Sequence, residues 1–134
     1  FFFFFFYNNK KRITNKDEVQ WNIYSAHDTT VGNMLAALNL TNVECIYEAF
    51  LNNRTANSDT CVSEYPIYTS NLIFEIWEYN ATNHTFKIRY NGEIKKIPFC
   101  DWKLECPVQK LYDWYDSFKD EDYLSTCGVS NTDV

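Results

Sequence analysis

The sequence predicts an α/β fold: a strand, a turn and a helix, then a second helix, antiparallel strands and a closing helix. Three observations carry that expectation. Val19, Trp21 and Ile23 alternate with polar residues and lead at once into Val31, Met34, Leu35 and Leu38, which share the spacing of one helical face. Residues 72–79 form an apolar run of strand length. Asn91-Gly92 stands between two alternating segments, the strongest short-range mark of a β-hairpin.

Taken in order, a strand over residues 19–26 ends at His27-Asp28-Thr29-Thr30, where the alternation breaks. Asp28, Thr29 and Thr30 are all good N-cap residues for the helix that follows. Val43, Ile46, Tyr47, Phe50 and Leu51 place a second apolar helical face after it, and residues 52–65 read as a polar loop. Residues 72–79, apolar on both faces, read as an interior strand. Phe86, Ile88 and Tyr90 alternate with Lys87 and Arg89, turn at Asn91-Gly92 and return through Ile94 and Ile97. Pro107 opens a last helix with Val108, Leu111, Tyr112 and Tyr115 on one face, proline being pre-set for the first helical position. No repeat and no linker divides residues 19–134. A lone strand–turn–helix followed by a meander makes a poor self-standing domain, so strand 19–26 is expected to need neighbours that this chain does not supply.

The 134 residues are 46% hydrophobic and 22% charged, enough apolar surface for a core and too little charge for disorder. A net charge of −6, with basic residues adjacent only at Lys10-Lys11-Arg12 and Lys95-Lys96, argues against a nucleic-acid partner, which requires clustered cations to displace counterions. Six phenylalanines and Tyr7 open the chain with no basic residue before them. That run is too short for a membrane span, which takes about 20 apolar residues, and it lacks the layout of a secretory signal. Residues 1–18 are therefore set apart from the fold, as an unrelated leader or as AT-rich non-coding sequence translated by a gene model.

Five cysteines are present (Cys45, Cys61, Cys100, Cys106, Cys127), none in a C-x-x-C pair and none near His27 or His84, so no zinc site is expected. N-x-[ST] sequons occur at Asn39, Asn53, Asn80 and Asn83, the last three in expected loops. Together these favour an oxidising compartment, placing the protein in the secretory pathway, secreted or lysosomal. Cys100 and Cys106 bracket a short loop and are expected to pair. Cys45 and Cys61 can close the loop between them. Cys127 is then left over, either as a free thiol or with a partner elsewhere.

His27 and Asp28 carry the chemistry. At the carboxyl end of a strand and the start of a helix, backbone N–H groups and the positive dipole end suit a phosphate. A histidine there can donate to a phosphate oxygen, and a neighbouring carboxylic acid can protonate a departing alkoxide. The plainer reading is a helix-capping Asp28 beside an incidental His27. The string Tyr24-Ser25-Ala26-His27-Asp28-Thr29-Thr30, continued by Val31-Gly32-Asn33-Met34-Leu35, shifts the balance, because it closely resembles the second signature of the histidine acid phosphatases. Asn71-Leu72-Ile73-Phe74-Glu75-Ile76-Trp77 resembles that family's strand after the loop. Residues 86–97 resemble its hairpin, and Cys100 to Cys106-Pro107 its small disulfide loop.

The resemblance spans residues 19 to about 127, and only its seven-residue string is specific. It implies the C-terminal portion of an α/β sandwich-type phosphatase domain over residues 19–134. His27 would be the phosphate-binding histidine, Asp28 the general acid and a small phosphomonoester the substrate, with no cofactor or metal. The family's nucleophile belongs to an Arg-His-Gly-x-Arg-x-Pro motif, and none occurs here: the three arginines are Arg12, Arg54 and Arg89, and His84 sits inside a sequon. The chain alone is therefore expected to be inactive, completed only by an N-terminal half that also offers Cys127 a disulfide partner. The alternative is a non-catalytic secreted relic that keeps a phosphate pocket. Substrate identity and oligomeric state are not legible.

Overall fold

A computed structural model describes residues 23–53, 58–80 and 82–117. The chain forms two compact units, one of residues 21–110 and one of residues 1–20 with 111–134. In the first, α1 (Asp28–Ala37) and α2 (Val43–Leu51) precede an antiparallel sheet. That sheet holds β1 (Leu72–Asn80), β2 (Asn83–Tyr90), β3 (Glu93–Lys95) and β4 (Cys106–Pro107), with a 3-10 turn at Pro98–Cys100. Helix α3 (Val108–Asp116) runs on from β4. Mixed α/β architecture, with helices before and after an antiparallel sheet, is as expected. Of the strand expected over 19–26, residues 19–22 lie outside the described residues, and residues 23–27 run without regular secondary structure.

Helix α1 buries Met34, Leu35 and Leu38, three of the four residues its spacing singles out. It stops at Asn39, whose φ of 56° is left-handed. The Asn39 N–H donates to the Ala36 carbonyl and that of Leu40 to the Leu35 carbonyl, while Leu35 and Leu40 are both fully buried. This is a Schellman ending with asparagine in the position glycine usually fills. Helix α2 is capped by Asn42, whose side chain accepts from the Cys45 N–H at 2.8 Å.

The apolar face of α2 departs from expectation. It has the predicted residues but no cover: Val43 is 82% and Phe50 79% exposed, Ile46, Tyr47 and Leu51 are also exposed, and only Ala49 is buried. A disulfide between Cys45 and Cys61 ties the helix to the loop after it. That loop is anchored at Val62, whose N–H donates to the Leu40 carbonyl and whose carbonyl accepts from the Thr41 hydroxyl.

In the sheet, the order is β1-β2-β3 with β4 also on β2. Phe86, Ile88 and Tyr90 are buried, opposite Ile76, Phe74 and Leu72 across the β1–β2 ladder. Thr85, Lys87 and Arg89 share the other face with Trp77, Glu75 and Ile73. Strand β1, expected to be interior, is an edge: among the described residues only β2 pairs with it. Its apolar outer face belongs to an antiparallel ribbon with one side open. The second disulfide, Cys100 to Cys106, closes the loop between the 3-10 turn and β4 and sets Cys106 opposite Phe86, whose ring stacks on Phe99 at 6.1 Å. Pro107 is the last residue of β4 rather than the first of α3, one position earlier than its φ preference suggests.

The β2–β3 turn is a two-residue loop, with Tyr90 opposite Glu93 and positive φ at both Asn91 (49°) and Gly92 (87°). That is the type I′ geometry whose twist matches the flanking strands. A Cβ on Gly92 would meet nothing within 4 Å, so the cost of Gly92→Ala is backbone strain alone. Such a substitution is expected to lower stability by about 1–2 kcal/mol, measured by urea unfolding of paired variants.

On the open face, the Glu105 carboxylate accepts from the hydroxyls of Thr85 (2.6 Å) and Tyr79 (2.8 Å) and pairs with Lys87 at 3.1 Å. The Thr85 hydroxyl above all, then Tyr79 and Lys87, hold its pKa down from 4.5 to about 2. A depressed carboxylate stabilises the fold fully above its unfolded value and loses that contribution as pH falls through the folded one. Glu105 therefore keeps its network through the mildly acidic range. Glu105→Gln is expected to weaken the fold at pH 5–7 and to flatten the acid limb between about 4.5 and 2. Unfolding midpoints measured against pH for both proteins check this.

In the second unit, Leu111 is buried on the described part of α3, and burial pushes the Tyr112 hydroxyl up to about 12. Cys127 lies outside the described residues.

Candidate active site

Residue 27, not 28, caps α1. The backbone of His27 is extended (φ −77°, ψ 161°), and its carbonyl accepts from Thr30 N–H at 3.0 Å and Val31 N–H at 3.3 Å. The imidazole makes no capping hydrogen bond. Asp28 is instead the first helical residue, its carboxylate accepting from the Thr29 N–H at 2.7 Å. An acid in the first turn is favoured by the free N–H groups and the positive dipole end there. The one side chain that takes up a first-turn N–H here is Asp28, and the His27 ring has no capping role at this helix end. Both side chains are exposed, side by side at the N-terminal mouth of α1.

The pair stands at a helix start, without the strand expected to lead into it among the described residues. Arg89, the described arginine, is committed elsewhere: its Nε donates to Glu75 at 2.6 Å and its Nη1 to the Gly92 carbonyl at 3.1 Å. Arg12 and Arg54 lie outside the described residues. His84 stands in β2 opposite Glu78. Among the described residues no cluster of three or more His, Cys, Asp or Glu could hold a metal, and no helix is long and apolar enough to cross a membrane.

One feature of the surroundings is not legible in the sequence. A cleft of about 320 Å³ opens beside the first turn of α1, lined by Thr29 and Asn33 of α1, by Ile46 of α2 and by Ser63, Tyr65 and Pro66. Its walls are some 30 residues apart in sequence, so no local pattern marks it. Thr29, Gly32 and Asn33, at the spacing of one helical face, are its trace in α1.

Over 127 residues the chain is 28% identical to a 2-phosphoxylose phosphatase 1 of Xenopus tropicalis, an alignment covering 84% of this chain and 21% of that protein. The chain thus spans about a fifth of that relative's length. No solved structure matches it. The sequence pattern of histidine phosphatase superfamily branch 2 matches residues 7–91, more than half of the chain and including His27 and Asp28. The chain belongs to the histidine phosphatase superfamily, branch 2.

Proposed function

We propose that residues 19–134 are the C-terminal part of an acid phosphatase domain that hydrolyses phosphomonoesters through a phosphohistidine intermediate. This part supplies His27 to bind the phosphoryl group and Asp28 to protonate the leaving group. The observation that carries the reading is the pair itself: two exposed side chains at a helix start, within the region matched to the superfamily. A nucleophilic histidine from upstream attacks phosphorus, the bond to the ester oxygen breaks with its electron pair, and Asp28 delivers a proton to that oxygen. Water then attacks the phosphorus of the phosphohistidine, Asp28, now a carboxylate, takes its proton, and the phosphorus–nitrogen bond breaks with its electron pair returning to the nucleophilic histidine. His27 and the first N–H groups of α1 stabilise charge on the phosphoryl oxygens.

The nucleophile and its arginine clamp come from polypeptide beyond this chain, so the chain alone has no phosphatase activity. The uncovered face of α2 supports an incomplete domain, since soluble proteins rarely leave so continuous an apolar surface open. Two disulfides and four sequons support passage through the secretory pathway to a secreted or lysosomal destination, with glycosylation. The name of the Xenopus relative points toward a sugar phosphate. With a fifth of that protein spanned, the substrate is kept here at the level of a small phosphomonoester. The test is to trap the complete protein with a phosphorus-labelled substrate by rapid denaturation. A phosphoryl group stable in alkali and labile in acid, on a histidine, is expected. Phosphate release without any such adduct, or with an acid-stable one, would contradict the proposal.

A further inference from the structure

The acid and the cleft meet at Thr29. Its N–H donates to the Asp28 carboxylate at 2.7 Å, and the same residue lines the cleft beside α1. An acid protonates a departing oxygen from about 2.6–3.2 Å. The first carbon of the leaving group is bonded to that oxygen, so the alcohol lies against Asp28 and its neighbour Thr29. The chain leading into Tyr65 is held at three points. The Val62 N–H donates to the Leu40 carbonyl at 2.7 Å, Cys61 is bridged to Cys45, and the fully buried Lys95 ammonium donates to the Ser58 carbonyl at 2.9 Å. A Cβ on Gly32 would stand 3.7 Å from Pro66 Cδ, so helix and loop are in contact there. Held in this way the cleft is preformed, as small-molecule sites usually are.

Its lining sorts what it can accept. Thr29 and Asn33 offer a hydroxyl and an amide, each both donor and acceptor. Tyr65, 61% exposed, offers an aromatic ring, with Pro66 and Ile46 adding apolar surface. A sugar-like ring, polar at its edge and apolar on its face, matches both. Among the described residues that line the cleft none is lysine or arginine, and Glu64 brings a carboxylate. A leaving group with a further phosphate would meet no opposite charge there. We propose that the cleft holds the leaving-group alcohol and that this alcohol is an uncharged, hydroxyl-rich ring of single-sugar size, an assignment that rests on the phosphatase reading above. Tyr65 lies against the face of the ring and Asn33 hydrogen-bonds its hydroxyls.

The test measures kcat/KM of the complete protein on a pentose monophosphate, on the same sugar with a second phosphate and on ethyl phosphate. The monophosphate is expected to exceed the bisphosphate by about tenfold or more, like charge being costly in such a site. Tyr65→Ala and Asn33→Ala, measured separately, are each expected to lower the ratio of the pentose ester to ethyl phosphate by about three- to tenfold. A folding defect lowers both esters and leaves the ratio where it was. A bisphosphate hydrolysed as well as the monophosphate, or a ratio unmoved in both variants, overturns the subsite, and phosphate release that still depends on Asp28 leaves the phosphatase reading standing. No release from any of the three esters overturns both.

Discussion

Replacing Asp28 by alanine in the complete enzyme is expected to slow hydrolysis of an alkyl phosphate by about 10²–10⁴-fold, the usual worth of a positioned proton donor. The loss is expected to be much smaller for an aryl phosphate with an acidic phenol, because that oxygen departs as an anion without help. The contrast between the two substrates is the informative part. A fold defect lowers both rates alike, whereas loss of the acid lowers mainly the one that needs a proton. His27→Ala should behave differently, weakening both substrates, since the phosphoryl group is common to them. Steady-state rates of the three proteins on the two esters check this. Equal losses for Asp28→Ala on both esters would remove Asp28 from the acid role.

The largest expected effect on stability is at Phe86. Its ring is fully buried, stacks on Phe99 and lies opposite Ile76 on one side and Cys106 on the other, so it joins β1, β2, β4 and the disulfide loop in one packed layer. Phe86→Ala is expected to cost about 3–5 kcal/mol, lost transfer energy plus the cavity left behind. Hydrogen exchange at the amides of β2 and β3 reads it locally, as a fall in protection of roughly two to four powers of ten. Trp77→Ala, next to Ile76 but on the open face and half exposed, serves as the contrast and should change protection far less.

How legible this was from sequence depends on where each constraint sits. The β2–β3 hairpin is written locally, in Asn91-Gly92 and the alternation around it, and it forms as expected. Helix α1 is likewise local, and so is the loop between Cys100 and Cys106. The Cys45 to Cys61 bridge is present too, although spacing alone left it as one option. Helix α2 shows the limit of periodicity. Its pattern correctly names the residues that share a face, but a pattern says nothing about what covers that face. Strand β1 fails for a related reason, since an apolar strand reads as interior whether or not a neighbour is there to pair with it.

At the site, His27 and Asp28 were distinguishable only through the seven-residue string around them. Their local signal fits a plain helix start equally well, and the structure moves the cap from Asp28 to His27. The cleft beside Thr29 and Asn33 was not legible at all, because Ser63, Tyr65 and Pro66 reach it through tertiary folding.

The central claim, that this chain brings the acid and the phosphate-binding histidine but not the nucleophile, is tested most directly by phosphate release at acidic pH. The measurement compares the folded 134-residue chain with the same chain extended by the upstream sequence of its transcript, both on an aryl phosphate. The account predicts release from the extended protein and none from the chain alone. Release by the chain alone that is lost in His27→Ala would contradict it.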